Sequence, residues 1–318
     1  MRVAQANVYV SEGTCTRILS TLKRAAESFG GQGDGVVLAS TFHDAPYNRS
    51  SFSFCGEPRA VARAAAVMCA HAIDLIDISV EGAGDAPVRH PRLGACDHIA
   101  FFPLSPGFCA TELAVEALRC AQDISERHRN LPVLLYGAVH PGGTSLAQVR
   151  RGTPYFRSCS HSHTRAHAGE KQDVVPLPSR GRLGPELSCS RSGLLMLGCA
   201  PFVSNYNVPL RTSDLPAARR IAAGVRERGG AGTRRGTGLA QVEALALPHV
   251  DGFIEVACNL LNDAVTSPAA VLQRVCELAE AEGIAVGEAY TIGASQEEAL
   301  RLGSNAVNAA AMAQAQSK

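Results

Sequence analysis

The stretch that decides how this chain is read is Leu75-Ile76-Asp77-Ile78-Ser79-Val80, with His90-Pro91-Arg92-Leu93-Gly94-Ala95-Cys96-Asp97 a few residues on. The first run has the length and apolar content of a buried strand. A second apolar run, Ile99 to Leu104, follows the loop. Working outward toward the N-terminus, Val3 to Val10, Gly35 to Thr41 and Ser50 to Cys55 also carry strand patterning. Between them, Ile18, Leu19, Leu22, Ala25 and Ala26 recur at helical spacing within Cys15 to Phe29. Pro58 opens an alanine-rich helix to about Ala72. With Leu75 to Val80 as its fourth strand, the first half reads β-α-β-β-α-β.

Downstream, Thr111 to His128 is a predicted helix with Leu113, Val115, Leu118 and Ile124 on its apolar face, and Leu131 to Tyr136 a predicted strand. Val139 to Pro185 is rich in Gly, Pro, Ser, Arg and His and carries no regular pattern. So long an irregular segment is either functional or mobile. Patterning resumes at Gly193. Phe202 to Val208, Gln241 to Leu247, Phe253 to Leu261 and Ile284 to Ile292 read as strands; Leu215 to Arg228 and Ala269 to Glu282 read as helices. The order is again β-α-β-β-α-β. The expectation is an α/β (α+β) chain of two ferredoxin-like subdomains, residues 1–192 and 193–318, with a cleft between them. Beyond Gln296 a short helix and a frayed alanine-rich tail, Asn305 to Lys318, are expected.

Composition excludes several classes. Lys+Arg 30 against Asp+Glu 29 gives +1, so no global field draws nucleic acid or an anionic membrane. Trp is absent and aromatic content is 5%, which leaves little for base stacking. The 11 cysteines form no CxxC pair and sit mostly in apolar runs (Cys69, Cys120, Cys199, Cys258, Cys276), as expected of a reduced cytoplasmic protein. No run is long enough to span a bilayer, and the N-terminus carries no secretory pattern.

The loop around His90 carries the chemistry. His90 can take and give a proton near neutral pH, and Arg92 offers a planar fork of donors suited to a carboxylate. Pro91 and Gly94 shape the backbone between and after them. The competing reading is a solvent-exposed loop histidine without a role. His161, His163 and His167 match no metal-ligand spacing and are read as a polar loop, so no metal is expected. Arg234 and Arg235 are read as a solvated loop, the alternative being contact with an acidic tail.

The chain resembles the formiminotransferase family over about residues 4 to 300. Ser11-Glu12-Gly13, Asn48-Arg49-Ser50 with Phe54 and Gly56, His90-Pro91-Arg92-Leu93-Gly94-Ala95 with Asp97, Tyr136-Gly137, Gly184-Pro185, Asn205-Tyr206-Asn207 and Asn259-Leu260 occur in the family's order. The resemblance is greatest to the stand-alone plant form without a cyclodeaminase domain. It implies formimino transfer from formiminoglutamate to N5 of tetrahydrofolate, which is here a substrate, in a cytoplasmic homodimer. It places His90 as the catalytic histidine and the segment with Gly184, Pro185 and Gly193 against folate. Asn48, Arg49 and Arg92 become candidates to hold substrate carboxylates, the alternative for each arginine being an internal ion pair. Asp97 either orients His90 or Arg92, or caps a turn. Three departures stand out: Glu81 to Val88 is acidic where relatives are basic, Arg182 replaces an aspartate, and Leu194-Leu195 replace smaller residues. The changes at Arg182 and Leu194-Leu195 motivate a second reading, a folate-binding or regulatory protein without turnover; a third is a structural dimer.

Overall fold

The computed structural model describes residues 1–31, 33–79, 92–153, 177–229 and 238–316. It divides into two compact units, Met1–Ala200 with Glu297–Lys318, and Pro201–Gln296. Both are mixtures of helix and sheet.

The first unit begins β1 (Ala4–Val10), α1 (Thr16–Glu27), β2 (Val36–Asp44), β3 (Arg49–Gly56), α2 (Pro58–Leu75), β4 (Cys96–Pro103). It continues α3 (Ala110–Arg127), β5 (Val133–Gly137), α4 (Leu146–Gly152), β6 (Arg182–Leu183), β7 (Leu195–Cys199). These strands form one sheet in the order β2-β3-β1-β4-β7-β5-β6. The first four pair antiparallel, whereas β7 runs parallel to both β4 and β5. Alternation along β1 sorts the two faces. Ala4, Ala6, Val8 and Val10 enter the core under α1, α2 and α3, while Gln5, Asn7 and Tyr9 stand on the other face. That second face carries a smaller apolar cluster of Leu134, Tyr136, Met196 and Val149 of α4.

The fourth strand is therefore Cys96–Pro103, not Leu75–Val80. Leu75 is the last residue of α2, and Ile76 and Ile78 are buried by the chain leaving that helix. Asp77 Oδ1 accepts from both the backbone N–H and the hydroxyl of Ser79, which bends the segment. Apolar content signalled burial correctly; it did not signal a ladder, because Cys96–Pro103 takes the place beside β1. Within Val139 to Pro185, α4 and the short β6 are regular. Ser145 starts α4 with a reciprocal cap to Gln148. Val115 of α3 is exposed, and so is Cys276.

The second unit holds β8 (Ser204–Leu210), α5 (Leu215–Val225), β9 (Val242–Pro248), β10 (Ile254–Leu260), α6 (Pro268–Ala281) and β11 (Tyr290–Ile292). Its sheet runs β11-β8-β10-β9, antiparallel throughout. Tyr206, Val208, Val256 and Cys258 pack with Ile221 and Val275 of the two helices. Only Tyr290–Ile292 of the expected last strand joins the ladder; Ala285 and Gly287 make single bonds to Arg211 and Pro209. The expected frayed tail is instead α7 (Gln296–Gln316), with Ala299, Gly303 and Ala310 buried. Small residues make this possible: a Cβ on Gly303 would lie 2.5 Å from Val3 Cγ1.

Candidate active site

At the start of β4, Asp97 organises the described end of the His90 loop. Its side chain is 2% exposed. Oδ1 accepts the N–H groups of Leu93 at 2.7 Å and Gly94 at 2.9 Å, and Oδ2 is ion-paired with Arg49 Nη1. A buried carboxylate needs such compensation, and here two amides and a guanidinium supply it. Arg49 thus takes the ion-pair arrangement, and Asp97 caps the turn.

Two other segments meet the same place. Ser11 N–H donates to Ala95 O at 3.0 Å, joining the end of β1 to the loop. Gly13 N–H donates to Asn48 Oδ1 at 2.7 Å, and Ser50 Oγ donates to Glu12 O at 2.5 Å. A Cβ on Gly13 would lie 2.4 Å from Asp44 O and 2.5 Å from Arg49 N, so only glycine lets these backbones touch. Asn48 has φ 49°, the left-handed region that asparagine tolerates better than most residues. The Glu12 carboxylate accepts from Thr14 N, Thr14 Oγ1 and Cys15 N at 2.8–2.9 Å, ahead of α1. Burial pushes its pKa up, but these hydrogen bonds and the charge of Arg92 outweigh burial and leave it below the ordinary carboxylate value. Arg92 is therefore within electrostatic reach of Glu12.

Gly193 joins this group from far along the chain. It forms a bridge with Gly94, and the neighbouring bonds Ala95 N→Ser192 O and Leu194 N→Leu93 O are both 3.0 Å. At φ 70°, a Cβ on Gly193 would lie 2.0 Å from Leu93 O, so glycine is required twice over. Gly184 and Pro185 lie apart from it. They follow β6, three strand positions from β4, a separation of about 14 Å at ordinary strand spacing. Two of the sequence departures have a structural account. Leu194 and Leu195 are both 0% exposed and fill two different apolar clusters. The Arg182 guanidinium donates to Leu177 O and approaches Glu186.

One cluster escaped the sequence reading. On the face opposite the long helices, the His98 ring stacks on Tyr9 with centroids 5.4 Å apart and shares a 2.7 Å hydrogen bond with Tyr136 Oη. Tyr136 reaches His98 across β7 because Gly198 leaves room: a Cβ there would lie 2.4 Å from the tyrosine ring. Burial first, then the charges of Arg150 and Arg49, hold the His98 pKa well below the ordinary imidazole value. Part of its signal was available, since His98 precedes Ile99, whose apolar side chain enters the core, and successive strand residues face opposite sides.

Asn48, Arg49, Arg92 and Gly193 are thus brought together; Gly184 and Pro185 are not. His90, Pro91 and Glu81 to Val88 lie outside the described residues, as do His161, His163, His167, Arg234 and Arg235. Among the described residues, no group of three or more His, Cys, Asp or Glu is placed to hold a metal, and no helix is long and apolar enough to cross a membrane.

Comparison with known proteins places the chain in a family. Residues 3–200 match the model of the formiminotransferase domain, N-terminal subdomain. A formiminotransferase cyclodeaminase-like protein of Arabidopsis thaliana is 34% identical, over 89% of this chain and 90% of its own length. Glutamate formimidoyltransferase of Thermoplasma acidophilum is 27% identical over 84% and 80%. Formimidoyltransferase-cyclodeaminase of Gallus gallus is 29% identical over 91% of this chain but only 49% of its own length, so the chain spans about half of that relative. This chain belongs to the formiminotransferase family, and its chemistry is of the transferase type.

Proposed function

We propose that this protein transfers the formimino group of formiminoglutamate to N5 of tetrahydrofolate, with His90 as base and then acid. The supporting observation is the convergence of sequence-distant motifs, Ser11–Gly13, Asn48–Ser50, Arg92–Asp97 and Gly193, at one end of the first sheet. Residue types suited to proton transfer and to holding a carboxylate occur in sequence beside this described cluster. In the reaction, the N5 nitrogen attacks the formimino carbon and loses its proton, and the glutamate nitrogen gains one as it leaves. One histidine, as base and then acid, serves both transfers, a contribution of roughly 10² to 10⁴ in rate. Holding both substrates in register supplies the rest. Arg92, Arg49 and Asn48 remain the candidates to hold a substrate carboxylate, a role that the planar donor fork of a guanidinium suits. Gly184, Pro185 and Gly193 remain the candidates for folate contact, in a homodimer of the cytoplasm.

The test is glutamate release from formiminoglutamate in the presence of tetrahydrofolate, with and without His90→Ala. Release that requires His90 supports the proposal. Folate binding without release points instead to a folate-binding protein that retains the fold.

A further inference from the structure

Two thiols meet where α3 begins, and the chemistry proposed at His90 uses neither. Cys109 is exposed and immediately precedes α3, whereas Cys199 ends β7 and is 0% exposed. The Cys199 S–H donates to Ala110 O at 3.2 Å, so its sulfur contacts the residue bonded to Cys109. In register, Cys199 lies between Phe101 of β4 and Gly137 of β5, and its carbonyl accepts the N–H of Ala138 at 2.8 Å. The pair therefore joins a surface segment to the interior of the first sheet.

The surroundings of the two sulfurs differ. Cys109 S–H donates to Glu112 Oε2 at 3.4 Å, which leaves the Thr111 hydroxyl as the donor in its 2.9 Å contact with the same sulfur. Cys109 N–H also donates to Glu112 Oε2, at 3.1 Å. These two bonds, the backbone one first, and the charge of Arg2 hold the Glu112 carboxyl below its ordinary value, so it faces the thiol as an ionised acceptor. The Cys199 thiol is pushed up to about 12, by burial first and then by the charge of Cys109. Cys109 is thus the thiol that an oxidant in solution meets. Cys199 is the protonated neighbour that reacts only when an oxidised sulfur is brought to it.

We propose that Cys109 and Cys199 form a reversible redox pair, a modification site at which a hydroperoxide is reduced and a disulfide closes. The Cys109 sulfur attacks one peroxide oxygen and the O–O bond breaks. The thiol proton, passed through Glu112, leaves with the alcohol (water, for hydrogen peroxide), and Cys109 becomes a sulfenic acid. The Cys199 sulfur then attacks the Cys109 sulfur, the S–O bond breaks, and the Cys199 proton leaves with the hydroxyl as water. Two thiols lose two electrons and two protons, and the hydroperoxide takes them up as an alcohol and water. Neither bridged sulfur keeps a hydrogen, so closure removes the bonds to Ala110 O and to Glu112 and ties the start of α3 to the end of β7.

Hydrogen peroxide added to the reduced full chain under native conditions tests this in wild type, Cys109→Ser and Cys199→Ser. Remaining thiols are then alkylated and the peptides read by mass spectrometry. The expected result in wild type is loss of two free thiols per chain into a Cys109–Cys199 bridge that dithiothreitol reverses. Cys199→Ser should stop at a Cys109 sulfenic acid that dimedone captures. Cys109→Ser, whose serine still suits the N-cap of α3, should leave Cys199 reduced. A wild-type protein that keeps its circular dichroism while Cys109 is oxidised and Cys199 stays a free thiol overturns the pair. So does a bridge from either cysteine to a different one, or a Cys109 that peroxide leaves untouched. Should Cys199→Ser fail to fold, the wild-type bridge and Cys109→Ser decide.

Discussion

Replacing Asp97 with alanine removes three interactions at once: two backbone N–H groups lose their acceptor and Arg49 loses its counter-ion. Each N–H contributes about 1 kcal/mol, and a guanidinium left largely buried without its partner adds the larger part, for a total of about 3–5 kcal/mol. In a unit of this size that lowers the melting temperature by roughly 10 °C. Asp97→Asn separates the two contributions. The amide oxygen still accepts from Leu93 and Gly94, so only the charge is lost, and a cost of about 1–2 kcal/mol is expected. Adding Arg49→Met to Asp97→Ala removes the guanidinium that has lost this counter-ion and should recover part of the loss, a coupling that a double-mutant cycle with the Arg49→Met single variant reads directly. Thermal melts followed by far-ultraviolet circular dichroism supply these values. A stability of Asp97→Ala within about 1 kcal/mol of wild type would refute the claim that Asp97 holds this end of the loop.

Gly193→Ala should cost about 2 kcal/mol or more and weaken turnover, since φ 70° and a 2.0 Å approach to Leu93 O both oppose a side chain; melts and initial rates check this. His98 is held neutral, so its folded pKa lies below the unfolded value, and the unfolded chain binds the extra proton. Stability from this residue is complete above the ordinary imidazole pKa and declines as pH falls below it, at up to about 1.4 kcal/mol per unit. The slope between about pH 7.5 and about pH 5.5 should flatten in His98→Gln, and an equal slope in both proteins contradicts it. Glu12 has the opposite cause and the same sign: its lowered carboxyl pKa stabilises above the unfolded carboxylate value and is lost as pH falls through the folded one. Glu12→Gln should therefore reduce acid sensitivity while lowering stability at neutral pH. Gly198→Ala should drive Tyr136 off His98, detectable as a shifted imidazole resonance.

Most of the fold was legible because its strands and helices carry their own periodicities. Strand patterning gave β1, β3 and β8 within a residue or two, and Pro58 marked the start of α2. What failed was the assignment of Leu75–Val80. Ile76 and Ile78 are as apolar and as buried as strand residues, but membership of a sheet depends on which partner edge is open, and a local window holds no such information. The tail was missed for a related reason: Ala299, Gly303 and Ala310 have no amphipathic contrast, and only the close approach to Val3 and Gly56 shows their use. At the candidate site, the residue types around Asp97 were readable. The bridge from Gly193 to Gly94 and the partners of His98, Tyr9 and Tyr136, were not, because they join segments far apart in sequence.

The most direct measurement of the central claim is a single-turnover assay of glutamate release from formiminoglutamate with tetrahydrofolate, comparing wild type with His90→Ala. Rapid release in wild type, reduced by roughly 10² to 10⁴ in the variant with folate affinity intact, is the predicted result. Equal rates in the two proteins would contradict the role given to His90.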